Sequence, residues 1–253
     1  MIKLFVTDID GCLAEPYAPY DLEGFATLRR LAQEAGPIGE GEAPALSVCS
    51  GRSYPYVEAI TQALHVRTPV LFEGGGGRFD PEAAQTTWNP AFSEDIEAEI
   101  DAVRHWFVTE ITPGTSLSLD HAKRTQAGVV SPDPDVIADV RRQTEDFVAT
   151  EAPDLQVFAT DVSVDVVPPG ITKRSGLDWL ADHLDLSMDE LAYIGDTEAD
   201  LEALGAVGTS FAPANADAAV RERVDHVTDG SVIEGTIAAY RACLPAASTA
   251  DVT

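Results

Sequence analysis

The sequence predicts an α/β protein built on a parallel sheet, with a separate α+β module let into the chain after the third strand. Three observations predict it. Short apolar, partly β-branched runs end in acids or small residues and give way to helical periodicity, the pattern of buried parallel strands. Four consecutive glycines, Gly74 to Gly77, follow the third such strand. Beyond them, two long helical patterns alternate with pairs of short strands before the strand, turn and helix rhythm returns.

The first strand, Ile2 to Thr7, runs into Asp8-Ile9-Asp10-Gly11. Side chains alternate along an extended segment, so Asp8 and Asp10 share a face, and Gly11 lets the backbone turn beyond them. Open α/β sheets bind ligands at this carboxyl end. Two acids there suit a hard cation such as Mg²⁺, which takes oxygen ligands and leaves positions for phosphate oxygens; a polar turn closing the strand accounts for Asp-x-Asp-Gly equally well. After a Pro16 to Pro19 loop, Leu22, Phe25, Leu28, Leu31 and Ala32 recur at helical spacing until Gly36. A polar turn follows, then the strand Ala45 to Cys49, the turn Ser50-Gly51-Arg52, and a helix carrying Tyr56, Ile60 and Leu64.

Pro69 to Phe72 is the third strand, and it empties into Glu73 and the glycines. No Gly-Lys-Ser/Thr follows them, so they are expected to form a hinge and not a phosphate cradle. Arg78 to about Pro168 is the inserted module. Its helices are expected at about Glu94 to Thr109 and Pro134 to Thr150, and its strands at Ser116 to Leu119, Ala127 to Val130, Leu155 to Ala159 and Val162 to Val167. Such an arrangement makes a small sheet covered on one face. Thr172 can cap the next helix, which starts at Lys173, and Ser187-Met188-Asp189-Glu190 is a capping box. The strand Leu191 to Ile194 then ends in Gly195-Asp196-Thr197-Glu198-Ala199-Asp200, repeating the apolar run, glycine and acids of the first. Further segments lie at Gly208 to Phe211, Ala216 to Val224 and Val232 to Arg241, and the tail from Pro245 is expected to be loose.

Composition narrows the partners. The 253 residues are 45% apolar and 23% charged, ordinary for a globular chain, but 43 acids against 16 bases give a formal net charge of −27. Nucleic acid is therefore a poor partner. Only Lys3, Lys123 and Lys173 are lysines, and an acidic, lysine-poor surface suits a salt-rich, halophilic cytoplasm, where screening suppresses self-repulsion. Cys12, Cys49 and Cys243 have no metal or disulfide spacing and read as packing residues. No run reaches the length of a membrane span, and Asp8 and Asp10 stand where a signal peptide needs its apolar stretch, so a cytoplasmic location is expected.

Four strand-end or helix-start sites thus stand in order: Asp8 with Asp10, Ser50, Lys173, and Asp196 with Asp200. Together, split by an insert after the third strand, they resemble the haloacid dehalogenase superfamily, specifically its Cof-like or sucrose-phosphatase-like phosphatases with a C2-type cap. The resemblance implies a Rossmann-like core of residues 1–76 and 169–253 and a cap of residues 77–168. It also implies a Mg²⁺-dependent phosphomonoester hydrolase. Asp8 resembles the nucleophile that forms an aspartyl phosphate, and Asp10 the general acid and later base. Ser50 and Lys173 would meet the phosphoryl oxygens, with Gly51 and Arg52 beside them in the substrate site. Asp8, Asp10, Asp196 and Asp200 would form the metal site, Asp200 as ligand or as support for the others.

Three positions depart from the family's pattern. Ser50 replaces the commoner threonine and keeps the donor, Glu73 stands where many capped relatives carry asparagine, and Ala199 replaces an asparagine before Asp200. Dehalogenase relatives lack an acid two residues after the nucleophile and transport ATPases have threonine there, so Asp10 points to a phosphatase or phosphomutase. The expected substrate is a small phosphorylated metabolite, with a sugar phosphate leading; a phosphomutase of the same fold and a catalytically idle phosphometabolite sensor are the alternatives. In the cap, His121, Lys123 and Arg124 form the most basic cluster. Lys123 and Arg124 are candidates for reading the substrate, or belong to a surface turn that balances nearby acids.

Overall fold

The computed structural model describes residues 1–39 and 41–245. The strands in chain order are β1 (Leu4–Thr7), β2 (Ala45–Val48), β3 (Val70–Phe72), β4 (Gly77–Asp80), β5 (Gln85–Trp88), β6 (Ser118–Leu119), β7 (Ala127–Val130), β8 (Gln156–Ala159), β9 (Ser163–Val167), β10 (Leu191–Ile194), β11 (Thr209–Ala212) and β12 (His226–Val227). The helices are α1 (Leu22–Ala35), α2 (Tyr54–Leu64), α3 (Glu94–Trp106), α4 (Pro134–Glu151), α5 (Lys173–Leu184), α6 (Leu201–Leu204), α7 (Ala218–Arg221) and α8 (Val232–Ala242).

Five parallel strands in the order β12-β11-β10-β1-β2 form the main sheet. All four residues of β1 are buried, because the strand lies between two apolar layers. Its alternation divides them: Phe5 joins Leu28, Val57, Ile60 and Tyr240 on one face, while Leu4 and Val6 join Leu177, Leu180 and Leu204 on the other. The Phe5 ring meets Tyr240 edge-on at 5.3 Å, and truncating it to Ala removes about 3–5 kcal/mol of stability. Helix α1 begins where the Asp21 carboxylate accepts the Glu23 and Gly24 amides, and ends at Gly36, whose φ of 72° favours glycine.

The insert has its own core. Strands β6-β7-β9-β8 pair antiparallel, and Ile100, Val103, Phe107, Ile137, Val140 and Val148 from the helical stretches pack on Val129, Val164 and Val166. Trp106 stacks on Phe147 at 4.2 Å, joining α3 to α4. The first long helix departs from expectation: it is α-helical only to Trp106 and continues as a π turn over Phe107–Ile111. Widening the turn keeps both Phe107 and Ile111 in the apolar cluster.

Two strands that the sequence reading did not foresee open the stretch assigned to the insert and pair with β3. Strands β4 and β5 extend β3 into an antiparallel three-stranded sheet, and Phe79 and Trp88 pack with the Phe5 layer. The glycine run, expected as a hinge, is a packed reversal between β3 and β4. Gly74 and Gly75 take φ of 63° and 95°, and a Cβ on Gly75 would press on Gly176 of α5. One more segment, expected over Ala216 to Val224, is helical only over α7. The tail expected to be loose falls, past Pro245, outside the described residues. Among those residues no helix is long and apolar enough to cross a membrane.

Candidate active site

Strands β1 and β10 are neighbours with Thr7 level with Ile194, so Asp8 and the Gly195-Asp196 turn leave the sheet side by side. The Asp8 amide still bonds the Ile194 carbonyl at 3.1 Å. Gly11, at φ 72°, folds the chain back where a Cβ would run into the Asp196 carboxylate. Asn215 holds this turn by donating to the Gly11 carbonyl at 2.9 Å, and Thr236 donates to the Cys12 carbonyl at 2.6 Å.

Lys173 opens α5, which Thr172 and Ser175 cap reciprocally. That start aims its ammonium at two carboxylates, Asp8 Oδ2 at 2.6 Å and Asp200 Oδ1 at 2.5 Å. The other Asp8 oxygen accepts the Ile9 amide at 2.7 Å, which fixes the carboxyl plane. Asp200 is fully buried and saturated: Oδ1 also accepts the Tyr193 hydroxyl, and Oδ2 accepts the Asp196 and Thr197 amides and the Thr197 hydroxyl. Tyr193 and Thr197 are supports that motif reading missed. A hydroxyl on an otherwise apolar strand, just before Gly195, was the available signal for Tyr193.

The charges do not balance. Burial would lower the Lys173 ammonium, but Asp200 and Asp8 reverse that and hold it well above its ordinary value. Burial raises Asp200, yet Lys173, Tyr193 and Thr197 bring it below the usual carboxylate range. Asp8 is raised by burial and by Asp200 against the pull of Lys173. Asp196, half-buried beside Asp8 and Asp200, is pushed up to about 8 by desolvation and by their charges. One of its oxygens, Oδ1, is buried with no hydrogen-bond partner among the described residues. Asp8, Asp196 and Asp200 each offer a carboxylate oxygen within 4.8 Å of the others. An orphaned oxygen in an all-carboxylate donor set with surplus negative charge fits a hard divalent cation.

Asp10, expected with these acids, points elsewhere. Both its oxygens take the guanidinium fork of Arg52, at 2.6 Å each. That bond holds the Arg52 charge above even its ordinary value, against burial. The guanidinium lies 5.0 Å from the Tyr17 ring centre and 4.9 Å from that of Tyr56. Ser50 is buried at the end of β2, its hydroxyl accepting the Arg52 amide at 3.3 Å, and Gly51 links the two.

Lys123 and Arg124 are already engaged. The Lys123 ammonium bonds Asp165 at 2.7 Å with Asp120 at 3.7 Å, and Arg124 forks onto Glu97 while lying 4.8 Å from the Trp88 ring centre. Glu73 is an unexpected tie. It is fully buried at the end of β3 and accepts the Arg124 and Thr125 amides and the Thr125 hydroxyl on Oε2, joining the insert to the Ser50 turn. Burial raises it above the usual range despite the Thr125 and Arg124 bonds.

Comparison with known proteins identifies relatives of the whole chain. Two curated archaeal relatives carry the name phosphoglycolate phosphatase. One, from Natronomonas pharaonis, is 27% identical over 94% of this chain and 96% of its own length; the other, from Halorubrum lacusprofundi, is 28% identical over 93% and 95%. In fold, the chain is similar to a crystal structure from Thermoplasma acidophilum, with a TM-score of 0.72 and 22% identity over 96% of this chain and 98% of that one. It is also similar to a haloacid dehalogenase-like hydrolase from Bacteroides thetaiotaomicron, with a TM-score of 0.70 and 19% identity over 96% and 99%. Residues 101–238 match the haloacid dehalogenase-like hydrolase family, and the chain belongs to that family.

Proposed function

We propose that this hydrolase is a Mg²⁺-dependent phosphomonoesterase for a small phosphorylated metabolite. The observation that carries the reading is Asp8, oriented by the Ile9 amide, 2.6 Å from the Lys173 ammonium and beside the unpartnered Asp196 oxygen. Asp8 would attack phosphorus, forming an aspartyl phosphate as the bond to the leaving oxygen breaks. Asp10 would give that oxygen its proton, then take one from the water that hydrolyses the intermediate. Lys173 would meet the phosphoryl charge with an ammonium already fixed by Asp200, so little reorganisation is needed during transfer. Ser50 would add a hydroxyl donor from the neighbouring strand. Asp8 and Asp196 would hold the cation, with Asp200 behind them, and when bound it would supply charge neutralisation at the phosphoryl oxygens.

Residues 77–168 would act as a cap over this site, tied to it through Glu73. A sugar phosphate leads on sequence alone, whereas the names of the archaeal relatives favour a short phosphorylated acid. The test is phosphate release from a panel of phosphorylated sugars and hydroxy acids, with Mg²⁺ and with EDTA. Release that needs Mg²⁺ is expected; isomerisation without release would make the protein a mutase, and turnover of nothing would overturn the reading.

A further inference from the structure

Arg52 holds a carboxylate that belongs to the chain itself. Its Nε and Nη2 each stand 2.6 Å from an oxygen of Asp10, the planar two-point geometry by which a guanidinium grips any carboxylate. The pair is accessible, with side chains 22% and 30% exposed. Two rings flank the guanidinium. Tyr56 is braced by the Tyr20 hydroxyl at 2.5 Å, and Tyr17 stands 67% exposed on the loop after Asp10. A charged fork between aromatic rings, open to solvent, is a built receptor for a planar anion.

Its place in the chain matters as much as its shape. Ser50 and Arg52 lie on one turn, their Cα atoms at most about 7 Å apart. With both oxygens of Asp10 accepting from Arg52, neither is directed at the leaving oxygen of a substrate held by Asp8. We propose that Arg52 is the specificity residue for a second group on the substrate, a carboxylate close to the phosphoryl group, which takes the fork from Asp10 and frees Asp10 for proton transfer. The proposal rests on the phosphomonoesterase reading above. For Arg52 the exchange replaces one carboxylate by another. An ester without the carboxylate must break two charge-assisted hydrogen bonds with nothing to replace them, and discrimination of about 10–100-fold follows. Part of it should fall on kcat, because the displaced Asp10 is itself a reacting group.

The experiment compares 2-phosphoglycolate with 2-hydroxyethyl phosphate, which differs only in carrying hydroxymethyl for carboxylate, in wild type, Arg52→Lys and Arg52→Met with Mg²⁺. Wild type should prefer the carboxylate by at least about 10-fold in kcat/KM, and the preference should fall to within about 3-fold in Arg52→Met and lie between in Arg52→Lys. Circular dichroism reports whether each variant folds. Should Arg52→Met fail to fold, Arg52→Lys decides alone, since it keeps the charge and loses the fork. Equal losses on both esters would reduce Arg52 to a positioning residue for Asp10 and overturn the proposal. A wild type that cleaves both esters equally would also overturn it and leave the phosphatase reading standing. A wild type that cleaves no phosphate ester would remove both.

Discussion

Two of the three lysines are nearly buried and held by paired acids, yet their surroundings differ. Lys123, in the insert, meets Asp165 and Asp120, whose side chains remain 22% and 28% exposed. Lys173, in the core, meets Asp8 and Asp200, whose side chains are 7% and 0% exposed, with Asp196 beyond them. Water dissipates the surplus charge around Lys123. Around Lys173 it has nowhere to go, so the same local motif becomes a strained carboxylate cluster that a cation would relieve. Solvent access, more than residue type, separates a structural ion pair from a site with chemical capacity.

The largest effect that tests this contrast is catalytic. Asp8→Asn should keep the fold and lower phosphate release by at least about 10³-fold, because the amide cannot form the acyl phosphate, whereas Asp165→Asn should change turnover of p-nitrophenyl phosphate by no more than about 3-fold. Near wild-type turnover of Asp8→Asn would sink the mechanism.

Stability gives the next test. Lys173→Met strands two dry carboxylates and should cost about 3–5 kcal/mol in urea unfolding without added metal, against about 1–2 kcal/mol for Lys123→Met, whose acids stay wet. Equal costs would erase the comparison.

A third test concerns Glu73, a dry acid at the join between the two regions. Its folded value is raised, so the folded chain keeps its proton to higher pH than the unfolded chain. The stability that protonation contributes is complete below the ordinary carboxylate range and is lost as pH rises through the raised value. Glu73→Gln should flatten the stability profile in that window. A profile unchanged by the substitution would place the pH dependence on other groups.

The smallest effect belongs to the surface. With a net charge of −27, the thermal midpoint should rise by a few degrees, about 1 kcal/mol, between dilute buffer and molar KCl, without substrate. A midpoint independent of salt would mean that the acids do not repel one another appreciably.

The parallel sheet was legible because a strand's period is short and its end is marked: Asp8 after Thr7 and Asp196 after Gly195 stand one step beyond apolar runs. Lys173 was legible because the Thr172 cap gives the helix start. The partners of long side chains were not legible. Lys123 and Arg124 read either as candidates for a substrate or as a turn balancing nearby acids, but that those acids include Asp165, 42 residues downstream, and Glu97, 27 upstream, follows from a fold whose register no local pattern states. Arg52 read as a substrate residue, while its grip on Asp10 depends on how two adjacent turns face each other. Strands β4 and β5 were not legible as strands at all, because Gly77-Arg78-Phe79-Asp80 and Gln85-Thr86-Thr87-Trp88 carry no apolar run. Their hydrogen bonds to β3 and to each other make them strands.

The contact between Gly75 and Gly176 makes the reactive geometry depend on atoms that are missing. The two backbones touch where either Cβ would collide, and Gly176 lies one turn along the helix that Lys173 opens. The ammonium therefore reaches Asp8 only because a turn remote in sequence carries no side chain. A single methyl group at Gly75 would act as a wedge under α5, lifting the lysine away from the carboxylate while leaving every catalytic side chain intact.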